Sequence, residues 1–147
     1  GIMMSGMFDN TPINPLDISG SGLSASRVRM NTIANNLANV NTTRDEDGFH
    51  KVYRRKEVVY KVGNPNETKS ERYGVRVKEF IPDMSALRKV YQPSHPDADE
   101  TGFVDMPNVQ TPLEMIDMIE ASRAYEANLT SIQVTKAMNN KSLELLS

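Results

Sequence analysis

The sequence predicts an α+β chain in which long N- and C-terminal helices pair as a coiled-coil-like bundle and enclose a small antiparallel β-rich segment. Three observations predict it. An apolar residue recurs every seven positions near the start, a helical run without Gly or Pro closes the chain, and alternating apolar residues bounded by turn signals lie between. A length of 147 residues allows one compact unit with appendages, and 38% hydrophobic content with no Trp is lean for its core. Part of the buried surface is therefore expected to come from partners.

Residues 1–13 read as a tail, 14–42 as the N-terminal helix, 43–111 as the β-rich middle with an acidic loop, and 112–147 as the C-terminal helix. In the first helix Leu16, Leu23, Met30 and Leu37 follow the seven-residue step, with Ile33 and Val40 three positions after the last two. Asn14 is the expected N-cap, Pro15 the first helical residue, and Asp17 a carboxylate near the positive end of the macrodipole. Gly20 and Gly22 each cost roughly 1 kcal/mol relative to Ala, so this helix is weak alone. Asn35, Asn36, Asn39 and Asn41 crowd its end. Their amides can cap orphan carbonyls, tolerate a left-handed exit, or bridge to adjacent subunits.

The middle segment carries 12 of the 17 basic and 12 of the 19 acidic residues. Val52, Val58, Tyr60 and Val62 share one parity before the turn signal Gly63-Asn64-Pro65-Asn66. Val75 and Val77 predict a second strand, and Val90-Tyr91 and Phe103-Val104 are expected to extend the same sheet. Thr111-Pro112-Leu113-Glu114 then reads as a capping box, with Thr111 at the N-cap and Glu114 reaching back from N3. About 35 residues follow without a helix breaker, a rod on the order of 50 Å. Met115, Met118, Ser122, Tyr125, Leu129, Ile132, Leu143 and Leu146 trace its seam, while Ile116, Ile119 and Val134 add a second apolar stripe. A hairpin of the two helices would leave that stripe wet, which favours packing between subunits. Arg123, Tyr125 and Asn128 lie on the same helix as candidate interface residues.

Several chemistries are weighed and set aside. A net charge of −2 gives no field for a polyanion, and the basic run Lys51, Arg54, Arg55, Lys56 and Lys61 is offset by Asp45, Glu46, Asp47 and Glu57. That run reads as a solvated strand edge rather than a nucleic-acid face. Zero Cys removes disulfides and thiolate sites. No apolar run spans a bilayer, and the first residues carry no secretory signal. Asp97, Asp99 and Gly102 match half of a calcium loop, but position 12 is Asn108 and Pro93 and Pro96 preclude an entering helix. His50 and His95 lack zinc-site spacing, and no nucleophile elbow or phosphate loop is present. Neither cofactor nor enzymatic activity is expected.

The run Ala34-Asn35-Asn36-Leu37-Ala38-Asn39-Val40-Asn41-Thr42 resembles the N-terminal signature of bacterial flagellar rod and hook axial proteins. Three further stretches narrow the resemblance to proximal-rod members: Tyr53 to Glu57; Tyr91 to Asp99 leading to Gly102-Phe103-Val104 and Pro107-Asn108-Val109; and Glu114-Met115 through Asn128. Residues 67–72 are the least family-like, and Gly1 and Ile2 read as additions to the family's usual start. The resemblance implies a structural subunit of the basal-body rod in the periplasm, part of the drive shaft for motility. Its terminal helices would form the axial core with copies of itself and with other rod proteins. It also implies passage through the flagellar type III export apparatus without a cleaved signal. A periplasmic protein that binds or cleaves cell wall is the alternative.

Overall fold

The computed structural model describes residues 15–63, 66 and 74–146. The expected N-cap Asn14, the tail 1–13 and the turn residues Asn64 and Pro65 lie outside the described residues. In chain order the elements are helix α1 (Pro15–Ala38), strands β1 (Lys56–Val62), β2 (Val75–Pro82), β3 (Arg88–Tyr91) and β4 (Phe103–Met106), and helix α2 (Thr111–Leu146). The α+β class and the placement of a small antiparallel β segment between two long helices agree with the sequence reading.

The helices pack antiparallel. Gly22 of α1 lies against Asn128 of α2, and Arg29, two turns further along α1, reaches back to Glu120 at 3.4 Å. Small residues allow this approach: a Cβ on Gly22 would fall 2.7 Å from Asn128 Oδ1, whose amide donates to the Ala124 carbonyl at 2.9 Å. Gly20 has nothing within 4 Å of the corresponding point. Gly20→Ala is therefore expected to raise the stability of the isolated chain by about 0.5–1 kcal/mol. In Gly22→Ala the same helical gain is offset by displacement of the Asn128 amide. Urea melts of the two variants check the contrast, which vanishes if the glycines differ only in helix propensity.

The end of α1 is capped by its own asparagines. Asn39 Nδ2 donates to the Asn35 carbonyl at 2.8 Å, and Thr42 Oγ1 donates to Asn39 Oδ1 at 3.0 Å. No described non-glycine residue has positive φ, so the left-handed exit is not used. The start of α2 also departs from expectation. Its first intrahelical bond runs from Glu114 N to the Gln110 carbonyl, which makes Gln110 the N-cap and puts Thr111 inside the helix. Glu114 does not reach back to close a capping box, because its carboxylate turns to Arg55 instead.

The single extended sheet expected from the sequence is two separate ribbons: β1 pairs with β2, and β3 pairs with β4. The β1–β2 register shifts between Val59 and Tyr60, where Lys78 forms a bulge. The connection from β2 to β3 leaves the ladder because its backbone is engaged by side chains. Asn108 Nδ2 donates to the Asp83 carbonyl at 2.9 Å, and Arg54 Nη1 donates to the Ser85 carbonyl at 3.0 Å. On β4, Val104 and Met106 are buried while Phe103 and Asp105 face outward. With Val109, Asn36 and Glu114 they are among the most buried residues of the chain.

Candidate assembly interface and the junction that supports it

Three chain segments meet where α1 ends, β1 begins and α2 begins. Two buried asparagines hold successive backbone positions there. Asn108 Oδ1 accepts from the Arg55 N–H at 2.8 Å, and Asn36 Oδ1 accepts from the Lys56 N–H at 3.0 Å. Asn36 Nδ2 in turn donates to the Lys56 carbonyl at 3.0 Å, and the Tyr53 hydroxyl donates to Asn36 Oδ1 at 2.7 Å. Burial pushes the Tyr53 phenol above its ordinary pKa, and the nearby Glu114 charge adds to that shift. Asn36 thus has its buried polar capacity used within the chain, as a buried amide requires.

Arg55 is the centre of charge. Its Nε donates to Glu114 Oε1, its Nη1 to Glu57 at 2.6 Å, and its Nη2 to Asp117 at 3.5 Å, with Asp83 3.6 Å away. Burial opposes its charged form, but the Glu114 and Glu57 partners outweigh this and leave the guanidinium pKa raised. Arg88 fastens the second ribbon: Nε donates to the Pro107 carbonyl and Nη2 to the Val40 carbonyl, each at 2.8 Å. The basic run is therefore not a solvated edge throughout. Arg54 and Arg55 are structural, because each is drawn to carbonyls or carboxylates of distant segments.

The half-formed calcium loop is likewise spoken for. Asp97 receives the Thr43 hydroxyl at 2.9 Å and Arg44 at 2.6 Å, while Asp99 Oδ1 receives Thr101 N, Thr101 Oγ1 and Phe103 N. His95 Nδ1 accepts from the Asp97 N–H at 3.0 Å. Among the described residues no group of three or more His, Asp or Glu is placed to hold a metal ion.

These contacts have a consequence in acid. Ser85 holds the Asp83 carboxyl below its ordinary pKa, and Thr101 and Phe103 do the same for Asp99. Asp97 is also lowered, with Thr43 and Arg44 outweighing the opposing effect of desolvation. A carboxyl whose folded pKa is depressed contributes stability above its unfolded value and loses it as pH falls through the folded one. The urea midpoint is expected to be level at neutral pH and to fall below about pH 4. Asp83→Asn or Asp99→Asn should flatten that fall.

The helices carry the candidate interface. On α1, Ile33 is buried and Leu16, Leu23, Met30 and Leu37 are half-buried, as is Val40 in the turn that follows. Asn35 Nδ2 donates to the Tyr53 hydroxyl at 3.2 Å, so Asn35, Asn36 and Asn39 all work within the chain. On α2 the inward line is Glu114, paired with Arg55, the fully buried Ala121, and Asn128 against Gly22 of α1, seven residues apart and small or polar. The apolar seam read from the sequence is rotated from that line by roughly 60°. Met118, Ser122, Tyr125 and Ile132 are half-buried on its shoulder, whereas Met115 and Leu129 are exposed. Arg123 is exposed on the far side with Ile116 and Ile119.

The result is a helix that leaves much of its apolar surface in water. Leu113, Met115, Ile116, Ile119, Val134, Met138, Leu143, Leu145 and Leu146 are each more than half exposed, and Ile18 and Phe80 add to the apolar surface. The pairing of Gly22 with Asn128 places the described start of α1 near residue 135 of α2. About 11 residues of α2, on the order of 16 Å, therefore project beyond it. Every residue from Lys136 to Leu146 is exposed. No described helix is long and apolar enough to cross a membrane.

Comparison with known proteins accounts for such a surface. Residues 16–44 match the family described as flagella basal body rod protein, and residues 100–145 match the C-terminal family of flagellar basal body rod FlgEFG proteins. The flagellar basal-body rod protein FlgC of Yersinia enterocolitica is 42% identical over 134 residues, covering 90% of this chain and 96% of that protein. FlgC of Borreliella burgdorferi is 40% identical over 146 residues, covering 89% and 95%. FlgC of Salmonella typhimurium is 39% identical over 134 residues, covering 90% and 96%. Nothing in these matches favours a protein that binds or cleaves cell wall. Identity at this level, sustained across both helices and the β-rich middle, means that the chain belongs to the FlgC family of flagellar basal-body rod proteins.

Proposed function

We propose that this chain is a structural subunit of the bacterial flagellar basal-body rod, without enzymatic activity, and that it acts by assembling with other rod components through its terminal helices. The observation that carries this reading is the number of large apolar side chains that α2 leaves more than half exposed, since exposed apolar surface on this scale marks a protein contact. In the rod, segments 14–42 and 112–147 form the axial core, and the middle, residues 43–111, faces outward and helps convey torque. The contact residues are Leu16, Leu23, Met30 and Leu37 from α1, Val40 just after it, and Met115, Met118, Ser122, Arg123, Tyr125, Leu129, Ile132, Leu143 and Leu146 from α2. Ile33, Asn35, Asn36, Asn39 and Asn128 hold these surfaces in place from within the chain. Delivery runs through the flagellar type III export apparatus. A chain with a lean core and a weak first helix is easily kept unfolded for passage and gains order from neighbours at the growing tip.

Hydrogen exchange tests the assembly. In the isolated chain the amides of residues 136–146 are expected to exchange almost as an open peptide, because every residue of this part of α2 is exposed among the described residues. In assembled rods they should be strongly protected. Equal protection in both states would rule out ordering by neighbouring subunits.

A further inference from the structure

We propose that the cleft at the base of α2 is a socket for a basic side chain, arginine or lysine, presented by an adjoining rod subunit; this rests on the rod reading above. The cleft has a volume of about 340 Å³ and is lined by Arg55, Asp83, Glu114 and Asp117, with Leu113 and Ile116 on its wall. One guanidinium faces three carboxylates there, Asp83, Glu114 and Asp117, leaving a formal charge of −2 on the cleft lining. Glu114 is 1% exposed, and its Oε2 is buried with no hydrogen-bond partner. A buried carboxylate with one oxygen unsatisfied holds uncompensated negative potential in a low-dielectric site, and that potential is lowered by a second cation at the mouth.

The kind of cation follows from the arrangement. The carboxylates surround a guanidinium rather than converging on a common point, and no described cluster is placed to hold a metal ion. A side-chain cation needs less: Asp117 and Asp83, both part-exposed, can share one donor head. Leu113 and Ile116, each more than half exposed, offer apolar surface for its aliphatic stem. The socket also sits on the same helix as the apolar stripe, so a neighbour that covers Ile116 passes directly over it. The stripe then supplies the contact area, and the socket sets which neighbour fits and in what register.

The test uses the full-length chain produced in a bacterium lacking its own copy, with Leu113 replaced by the photo-crosslinking residue p-benzoylphenylalanine. After irradiation, rods are isolated and the crosslinked peptide is sequenced by mass spectrometry. The expected product joins this position to a peptide of another subunit that carries Arg or Lys at or beside the attachment point. Its yield should fall roughly tenfold in Asp117→Asn, a change at a part-exposed position that should leave the isolated chain folded. An intersubunit crosslink to a segment without a basic residue overturns the socket while leaving the rod reading intact. An unaltered chain that is itself never recovered in rods overturns the rod reading, and the socket with it.

Discussion

Arg55→Ala is expected to cost the isolated chain about 3 kcal/mol, the low end of what breaking a buried ion pair costs. The loss arises on the other side of the pair. Glu114 is 1% exposed, sits in the first turn of α2 and already has one oxygen without a partner; removing Arg55 leaves the whole carboxylate buried and unpaired. Arg55 keeps about a fifth of its side chain in water, so some of the cost is relieved by solvent entering the gap, which is why the upper end of the range does not apply. Glu114→Gln should cost less, because an amide needs no counter-charge. The double variant Arg55→Met with Glu114→Met should recover most of the loss, since removing both charges removes the desolvation cost along with the attraction. Urea denaturation of the parent, Arg55→Met, Glu114→Met and the double variant checks the cycle. A double variant as unstable as the sum of the singles would show that the two residues act separately.

That pair also marks the limit of what the sequence discloses. Periodicity placed both described helices, and alternation found the four described strands, because each signal is local and is repeated within a few residues. The register of α2 was less legible. Its apolar seam through Met115, Ser122 and Leu129 predicts the face that should be buried, but α2 turns Glu114, Ala121 and Asn128 inward instead. The usual equation of apolar with buried assumes that the chain buries its own surface, and here much of that surface stays exposed in the single chain. The separation of the β segment into two ribbons depends on Asn108 reaching Asp83 and Ser85, contacts across more than 20 residues that no pattern announces. The same is true of Arg55 and Glu114, 59 residues apart. The sequence offers Glu114 as half of a capping box, a local role that the Arg55 guanidinium displaces.

The second large effect is expected where the isolated chain should feel nothing. Ile116→Asp combined with Ile119→Asp should leave its thermal midpoint close to that of the parent, because both side chains are more than half exposed and changes at such positions usually fall within about 0.5 kcal/mol each. Rod assembly and swimming should nevertheless be lost. In a rod, each carboxylate would be driven into an apolar contact without a partner, and two such burials in every subunit are repeated around the whole structure. Apolar anchors at the centre of an interface commonly cost 2 kcal/mol or more when removed, and a charge in their place costs further. Ile116→Leu with Ile119→Leu should restore swimming, since area and polarity are kept while shape alone changes. The decisive comparison is therefore between midpoint and motility in a strain lacking its own copy. If the Asp variants melted early, the stripe would belong to the chain's own core; if they swam normally, it would face solvent in the rod. An unchanged midpoint with swimming abolished is the pattern that an outward-turned helix dictates, because stability and assembly then reside on opposite faces of α2.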